Sequence, residues 1–465
     1  MRNNMNNEKA IDLTKGNIFY LLLTFTIPIL LAALFQQLYN TVDTMIVSHY
    51  LGANALAALG ATTALYDLII GFSTGVGSGF SIVVAKHYGA KNKTMVKRSV
   101  AGSIVLSLCL SLLIMLFTLF LLHPILELLH TPKTIIADAY SYIFPIGIFV
   151  FVTITYNLSA ALLRAIGNSF TPLIVLLIAS VLNIIFDLLF VAIFSFGILG
   201  AAIATIIAQA IAAVICLFYI IRKCHLLVPD HSDFTSDPSL YQELLSQGFS
   251  MGFMLSIVSI GTLLLQTSIN RFGTNIIAGH TAARKLSALF SLPLSTLGTA
   301  MATFTSQNKG AGRIARIRKG VKDAMILSTI WCIITLFLNY FFSPFLTQLI
   351  CGNGDFEVIT TALLYLNTNV PFYFAVGPLL ILRCALQGMG EKFLPLVSSF
   401  IEMFGKMIFV LIFIPIFHYL GVCFSEPVIW ILMFLQLSYS FYHNQEIKEA
   451  KTIVLKDRKS PNKNR

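Results

Sequence analysis

Two pairs of residues carry the groups most able to do chemistry. Tyr39 and Asp43, and Asn183 and Asp187, each stand four apart inside long apolar runs. At that spacing both members of a pair share one face of a helix. An ionisable group in hydrocarbon costs at least a few kcal/mol, so a carboxylate there faces protein or water and is a functional candidate. Two carboxylates with amide and hydroxyl oxygens suit a hard monovalent cation such as Na⁺. Brought close in low dielectric, the same two carboxylates cannot both ionise and would hold a shared proton. The plainer alternative is that these groups only satisfy one another as buried structural polar residues.

Other intramembrane ionisable groups invite plainer readings. Glu402 and Lys406 stand four apart and can neutralise each other, which favours a structural role. Arg284 and Lys285 have no local counter-charge and either meet an acidic partner or line a cavity. Asp67 is a second candidate proton site, or else is simply paired. His49, His280 and His418 show no ligand spacing, so no metal is expected beyond Na⁺. The seven cysteines form no C-x-x-C pair and read as small hydrophobes, not disulfides or ligands. G-x-S-x-G occurs only as Gly71-Phe72-Ser73-Thr74-Gly75 and Gly248-Phe249-Ser250-Met251-Gly252, both inside long apolar runs and not at the strand-to-helix turn a nucleophile needs, and no H-E-x-x-H or Walker-type G-x-x-x-x-G-K-[ST] occurs. An enzyme is therefore not expected, no cofactor is implied beyond a coupling ion, and pumping driven by ATP would need another subunit.

The elements that position these residues must be membrane helices. Of 465 residues, 57% are apolar and only 11% charged, with a mean hydropathy of +0.83. A soluble domain has roughly a quarter of its residues charged. At about 20 apolar residues per span the chain supplies about a dozen spans. Apolar stretches fall at 17–48, 53–82, 97–122, 134–160, 166–193 and 197–221, then at 243–270, 275–305, 318–343, 356–383, 393–416 and 422–442. The first run is too long for a secretory signal and no cleavage site follows it, so no removed leader is expected.

The net charge of +11 is distributed as a topology signal. With both termini cytoplasmic, cytoplasmic segments hold 26 lysines and arginines and external ones only Lys133 and Arg271. That bias is what membrane insertion selects, so no nucleic-acid partner is expected.

The halves also resemble each other. Slid by 221 residues without a gap, Leu51 to Ala90 matches Phe272 to Ala311 at nine of forty positions, among them Gly52/Gly273, Gly77/Gly298 and Gly89/Gly310. A shift of 223 superposes Gly167 and Pro172 on Gly390 and Pro395. Six spans per half is an even number, so the repeats are parallel and related by an axis along the membrane normal. The expected organisation is all-α, with 12 transmembrane helices in two pseudo-symmetric six-helix bundles, residues 1–222 and 243–442. A cytoplasmic linker at 223–242 joins them and a basic cytoplasmic tail follows at 443–465. Parallel repeats around a cavity suit alternating access.

With a rise of about 1.5 Å per residue, Asp43, Tyr142, Asp187, Asn183 and Thr205 lie roughly 9–15 Å below the outer helix ends, in one layer drawn from four helices. The repeat places Leu264, Lys406 and Val410 opposite Asp43, Asn183 and Asp187, so the second half keeps no carboxylate there. Pro28 should kink the first span. Gly71, Gly75, Gly77 and Gly79 read as tight helix packing.

Pro28 to Asp43 with Val42-Asp43-Thr44, Leu51-Gly52 echoed at Phe272-Gly273, Lys86-His87-Tyr88-Gly89-Ala90, Arg164 to Asn168 through Thr171-Pro172, and Asn183 to Asp187 together resemble the multidrug and toxic compound extrusion (MATE) family over about residues 15–445. The resemblance implies a V-shaped pair of bundles in a cell (plasma or inner) membrane. It further implies a secondary active antiporter that exports amphipathic, often cationic compounds in exchange for H⁺ or Na⁺ and is expected to act as a monomer. It is closest to the branch named for the DNA-damage-inducible F protein. Carried over by motif, that branch places cation or proton coupling, and any Na⁺, at Asp43, Asn183, Asp187 and Thr205. It places Gln36, Tyr39 and Tyr142 in the substrate cavity and a bending point at Pro28. The runner-up is a lipid or lipid-linked oligosaccharide flippase of the same superfamily, which would need a cationic cavity from Arg284, Lys285 and Arg164.

Overall fold

The computed structural model describes residues 10–128, 131–351 and 356–449, so the expected tail lies outside the described residues from 450 onward. It is helical, with no strand among the described residues. The first helical run, Ile18–Gly89, is broken at Gly52, whose φ of 78° and ψ of −169° end one helix and begin the next. We label the spans α1 (Ile18–Gly52), α2 (Leu65–Gly89), α3 (Lys93–Leu128), α5 (Phe170–Ile193) and α6 (Ile198–Lys223), with α4 the pair Ile136–Ile148 and Val150–Ala165, bent by 54° at Phe149. The second half supplies α7 (Pro238–Ile269), α8 (Thr274–Gly310), α9 (Ile314–Ile350), α10 (Phe356–Gly388), α11 (Phe393–Phe417) and α12 (Tyr419–His443). Eleven are single helices long and apolar enough to cross a membrane, and the bent pair completes twelve.

Contacts group the chain into two units, Met1–Asp12 with Ile27–Ser256, and Leu13–Thr26 with Ile257–Arg465. Both divisions fall inside helices, one in α1 just before Pro28 and one within α7. Inside the first unit, α2 carries Gly75 and Gly79 and α7 carries Gly248 and Gly252, each pair four apart. A methyl group on Gly75 would lie 2.6 Å from the Met251 carbonyl oxygen, and one on Gly79 would lie 2.6 Å from the Gln247 carbonyl oxygen and the Gly248 Cα. The two backbones thus touch with no side chain between them, the small-xxx-small mode of membrane helix packing. This contact ties the opening half of α7 to the first unit. Asp237 starts that helix by accepting the Ser239 hydroxyl at 2.8 Å and the Ser239 and Leu240 backbone N–H groups at 3.0 and 3.5 Å. These bonds, the Ser239 hydroxyl first, hold its pKa below the usual carboxylate range.

The duplication is written in the backbone. Left-handed conformations recur at Gly52 and Gly273, Lys91 and Gly312, and Gly197 and His418, all 221 apart, and at Gly167 and Gly390, 223 apart. A π-helical turn at Leu188–Ile193 in α5 has its counterpart at Phe409–Phe413 in α11. The bend in α4 corresponds to a 3₁₀ turn at Val370–Phe372 in α10.

Each unit buries its own apolar core. In the first, one cluster gathers Val83, Val84, Val96, Leu163, Cys216 and Leu244, and a separate one gathers Val47, Ala58, Leu122, Leu126, Ile143 and Ala201. The second unit packs Leu294, Tyr365, Leu366, Val422 and Cys423. Large apolar side chains stay exposed where lipid would lie, as with Leu112, Leu113, Leu116 and Phe120 on α3.

Candidate functional site

In the first unit the carboxyl groups of Asp43 on α1 and Asp187 on α5 come within hydrogen-bonding range of each other. Asp187 has no solvent exposure and Asn183, one turn before it, is also buried, while Asp43 is half-buried. Asp187 is the last residue of its α-helical stretch, and the π turn begins at Leu188. A π turn widens the helix and recurs at functional sites. Asn183 donates its amide to the Thr205 hydroxyl of α6 at 3.4 Å. Asp43 Oδ1, Asn183 Oδ1 and both Asp187 oxygens are buried with no hydrogen-bond donor among the described residues, and neither carboxylate has an ion pair there.

Three tyrosines surround the pair. Tyr39 hydrogen-bonds with Gln36, which is exposed, and its hydroxyl oxygen is an electrostatic neighbour of Asp43 and Asp187. Tyr142 on α4 neighbours both carboxylates as well as Tyr39. The third, Tyr66 on α2, neighbours Tyr39 and Asp43; sequence reasoning singles out Asp67 beside it and not Tyr66, because a tyrosine in an apolar run carries no charge to mark it. Asp67 itself is exposed and has no hydrogen bond or ion pair among the described residues. Pro28 lies inside α1, at the division between the units.

Chemically, this is a set of acceptor oxygens without donors. Two unbalanced carboxylates held out of water cost several kcal/mol. A proton on one of them, or a hard cation among the four oxygens, removes that cost. The donor set therefore fits a monovalent cation or a proton, with Asp43, Asn183 and Asp187 as its holders and Thr205 held by Asn183.

The second unit treats its acids differently. Glu426 on α12 accepts from Arg284 of α8 at 2.7 Å and from the Tyr365 hydroxyl at 2.7 Å. Arg284 thus has the acidic partner that local sequence does not supply, and Glu426 is a residue sequence reasoning overlooked. Beside it His280 and the Tyr419 hydroxyl are hydrogen-bonded at 3.1 Å. Glu402 lies between two cations, Lys406 at 2.9 Å and Arg383 at 3.9 Å, and Lys406 also donates to Thr262 at 3.1 Å. So both acids of the α11 and α12 spans are neutralised, whereas those of the first-unit layer are not.

The chain matches the family model described as MatE over residues 28–189 and 251–412, one match in each half. It is 27% identical over 399 residues to the probable multidrug resistance protein YpnP of Bacillus subtilis (strain 168), covering 85% of this chain and 88% of that protein. Similarity to the probable multidrug resistance protein YoeA of the same organism is 26% over 442 residues, 92% of this chain and 94% of the relative. A multidrug resistance MATE family transporter of the MOP superfamily, solved in an outward-facing conformation, superposes with a TM-score of 0.85 at 21% identity, over 96% of this chain and 99% of that one. Two matches of one family model, each falling on one half of a duplicated set of membrane helices, lead to one conclusion: the chain is a multi-pass membrane transporter of the MatE family, the family of multidrug efflux proteins, and not an enzyme.

Proposed function

We propose that the chain is a secondary active antiporter that exports amphipathic, often cationic compounds in exchange for H⁺ or Na⁺, with coupling confined to the first unit. What supports this is one observation, the pair of carboxylates at Asp43 and Asp187 whose buried oxygens lack donors among the described residues. Uptake of a cation or proton there relieves an electrostatic cost that the conformation without it must bear. Substrate and ion need not touch, provided each prefers a different conformation. Gln36, Tyr39 and Tyr142 would line the substrate path, and Pro28 would be the bending point of α1. This is the coupling scheme of the DNA-damage-inducible F branch, which we adopt as a reading. A plasma-membrane location, cytoplasmic termini and action as a monomer without an ATPase subunit belong to the same proposal.

The flippase reading has less support. It needs a cationic cavity, yet Arg284 is engaged by Glu426, and Arg164 belongs to the other unit. The deciding experiment is dye efflux from proteoliposomes with Na⁺ and pH gradients imposed separately. Asp43→Asn is expected to abolish gradient-driven export, a loss of at least about tenfold, worth about 1.4 kcal/mol, with membrane protein levels unchanged. Undiminished export by that variant would sink the assignment.

A further inference from the structure

Lys285 is a cation in mid-span with no counter-charge among the described residues. It lies eleven residues into α8, about 16 Å along the helix from Thr274, beyond the roughly 6 Å that a lysine stem can reach toward that end. It is exposed and has no hydrogen bond or ion pair among the described residues. Arg284, its neighbour, has Glu426.

What Lys285 faces can be read from its own helix. Ala278, Thr281, Lys285, Ala288, Ser295 and Thr299 recur at steps of three, four and seven on one exposed stripe, small or polar apart from Leu289 and the half-buried Leu292. Leu289 is the only large apolar side chain of α8 that is exposed, at 42%. On α9, in the same unit, the exposed stripe is Ile326, Ile330, Ile333, Phe337, Phe341 and Phe345. A face turned to lipid looks like that of α9. The α8 stripe, with hydroxyls and an ammonium group, is one that water covers. The corresponding face in the repeat, on the helical run that follows Gly52 and continues into α2, is of the same kind, exposing Asn54, Ala57, Gly60, Thr63 and Asp67. There the charge is negative, and Asp67 aligns with Ala288, one turn from the Lys285 position.

We propose that Lys285 is an anion-recognising contact for substrate, a cationic point on the water-facing stripe of α8 that takes the carboxylate of an amphipathic compound. The geometry assigns it because Lys285 is a solvated cation in mid-span that no acid among the described residues neutralises, and such a residue marks a substrate or ion path. Substrates would then include zwitterionic and anionic amphipaths besides cations. The inference rests on the export reading, deepening it by naming a substrate class.

The test uses two probes, a rhodamine bearing a free carboxylate and its methyl ester, with equilibrium binding to the purified full-length protein in nanodiscs of zwitterionic lipid read by fluorescence anisotropy. Lys285→Gln is expected to lower the affinity ratio of carboxylate to ester about tenfold, as expected for one partly screened charge pair, and Lys285→Arg to keep the ratio. Lys285→Glu should invert the preference. An unchanged ratio in Lys285→Gln, equal loss of both dyes, or no binding of the carboxylate dye by wild type would each overturn the proposal. So would a variant whose one change is weaker retention of anionic lipid in nanodiscs made with it, which would make Lys285 a headgroup contact. Dye efflux from proteoliposomes is measured in parallel. Failure of efflux with the binding ratio intact removes the export reading and leaves the anion contact standing.

Discussion

Asp187 and Glu426 are both buried acids in membrane helices, yet their surroundings differ in sign and number of donors. Glu426 receives a guanidinium and a phenol, so its charge is fixed and balanced. Asp187 receives neither and faces a second carboxyl group. A balanced acid holds structure, and an unbalanced one must take up and give back a positive charge. The contrast yields a stability prediction. Arg284→Met leaves Glu426 buried and unpaired and is expected to destabilise the second unit by about 3–5 kcal/mol. Glu426→Gln should cost less, because the Arg284 side chain is 39% exposed and can be solvated. The double variant should recover part of the loss. Thermal unfolding in detergent, followed by tryptophan fluorescence, gives the order, and a Glu426→Gln protein less stable than Arg284→Met would refute the pairing argument. At this scale the sequence revealed the ionisable residues but not all their partners. Tyr39 with Asp43 on α1, and Asn183 with Asp187 on α5, each share a helix face by their spacing of four, whereas Arg284 with Glu426 is a contact 142 residues apart and no local pattern encodes it.

Among the helices, breaks and close approaches matter more than the apolar runs. The twelve spans were legible in number and order, with ends within about seven residues except the start of α2, at 65 against an expected 53, because hydropathy registers directly what lipid demands. The π turns were not, since Leu188–Ile193 and Phe409–Phe413 are ordinary apolar sequence and the widening arises from packing. Glycine contact between α2 and α7 was half legible, with Gly75 and Gly79 visible as a packing motif and their partners Gly248 and Gly252 known only from the fold. Gly79→Val would force a side chain into the α7 backbone, so α7 must move away. We expect a loss of about 2–4 kcal/mol, in the range of core overpacking and above, read as a lower unfolding temperature and reduced yield. A neutral effect would mean the helices are not in contact there. Pro28 acts in the opposite direction. Pro28→Ala restores an N–H able to reach the Thr24 carbonyl and should stiffen α1 at the place where it passes from one unit to the other. The expected outcome is a protein at least as stable as wild type whose gradient-driven efflux is slower by about tenfold or more, as for other hinge changes that alter turnover without touching the chemistry. Unaltered efflux in that variant would leave Pro28 as a static kink.

For the whole molecule, duplication explains both what recurs and what does not. Backbone features recur because they set the path of the chain, as the paired left-handed positions at Gly52 and Gly273 or Gly197 and His418 illustrate. Side-chain charge does not recur, so one ancestral shape carries an unbalanced acidic pair in one half and neutralised acids in the other. The charge between the spans has a separate task, orientation. Lysines and arginines are gathered at alternate connections, with Lys133 and Arg271 alone at the others, and this bias should fix the molecule with the Asp43 and Asp187 layer toward the outside. Lys93, Lys319, Lys133 and Arg271 are all exposed and so can report it. In a background with the native cysteines replaced, single cysteines at these four positions would be treated with a membrane-impermeant maleimide in intact cells. Labelling is expected at 133 and 271 and absent at 93 and 319 until the membrane is permeabilised. The reverse pattern would turn the molecule over, put the carboxylate pair near the cytoplasm, and require that the coupling ion enter from the side where the proposed export reaction must release it.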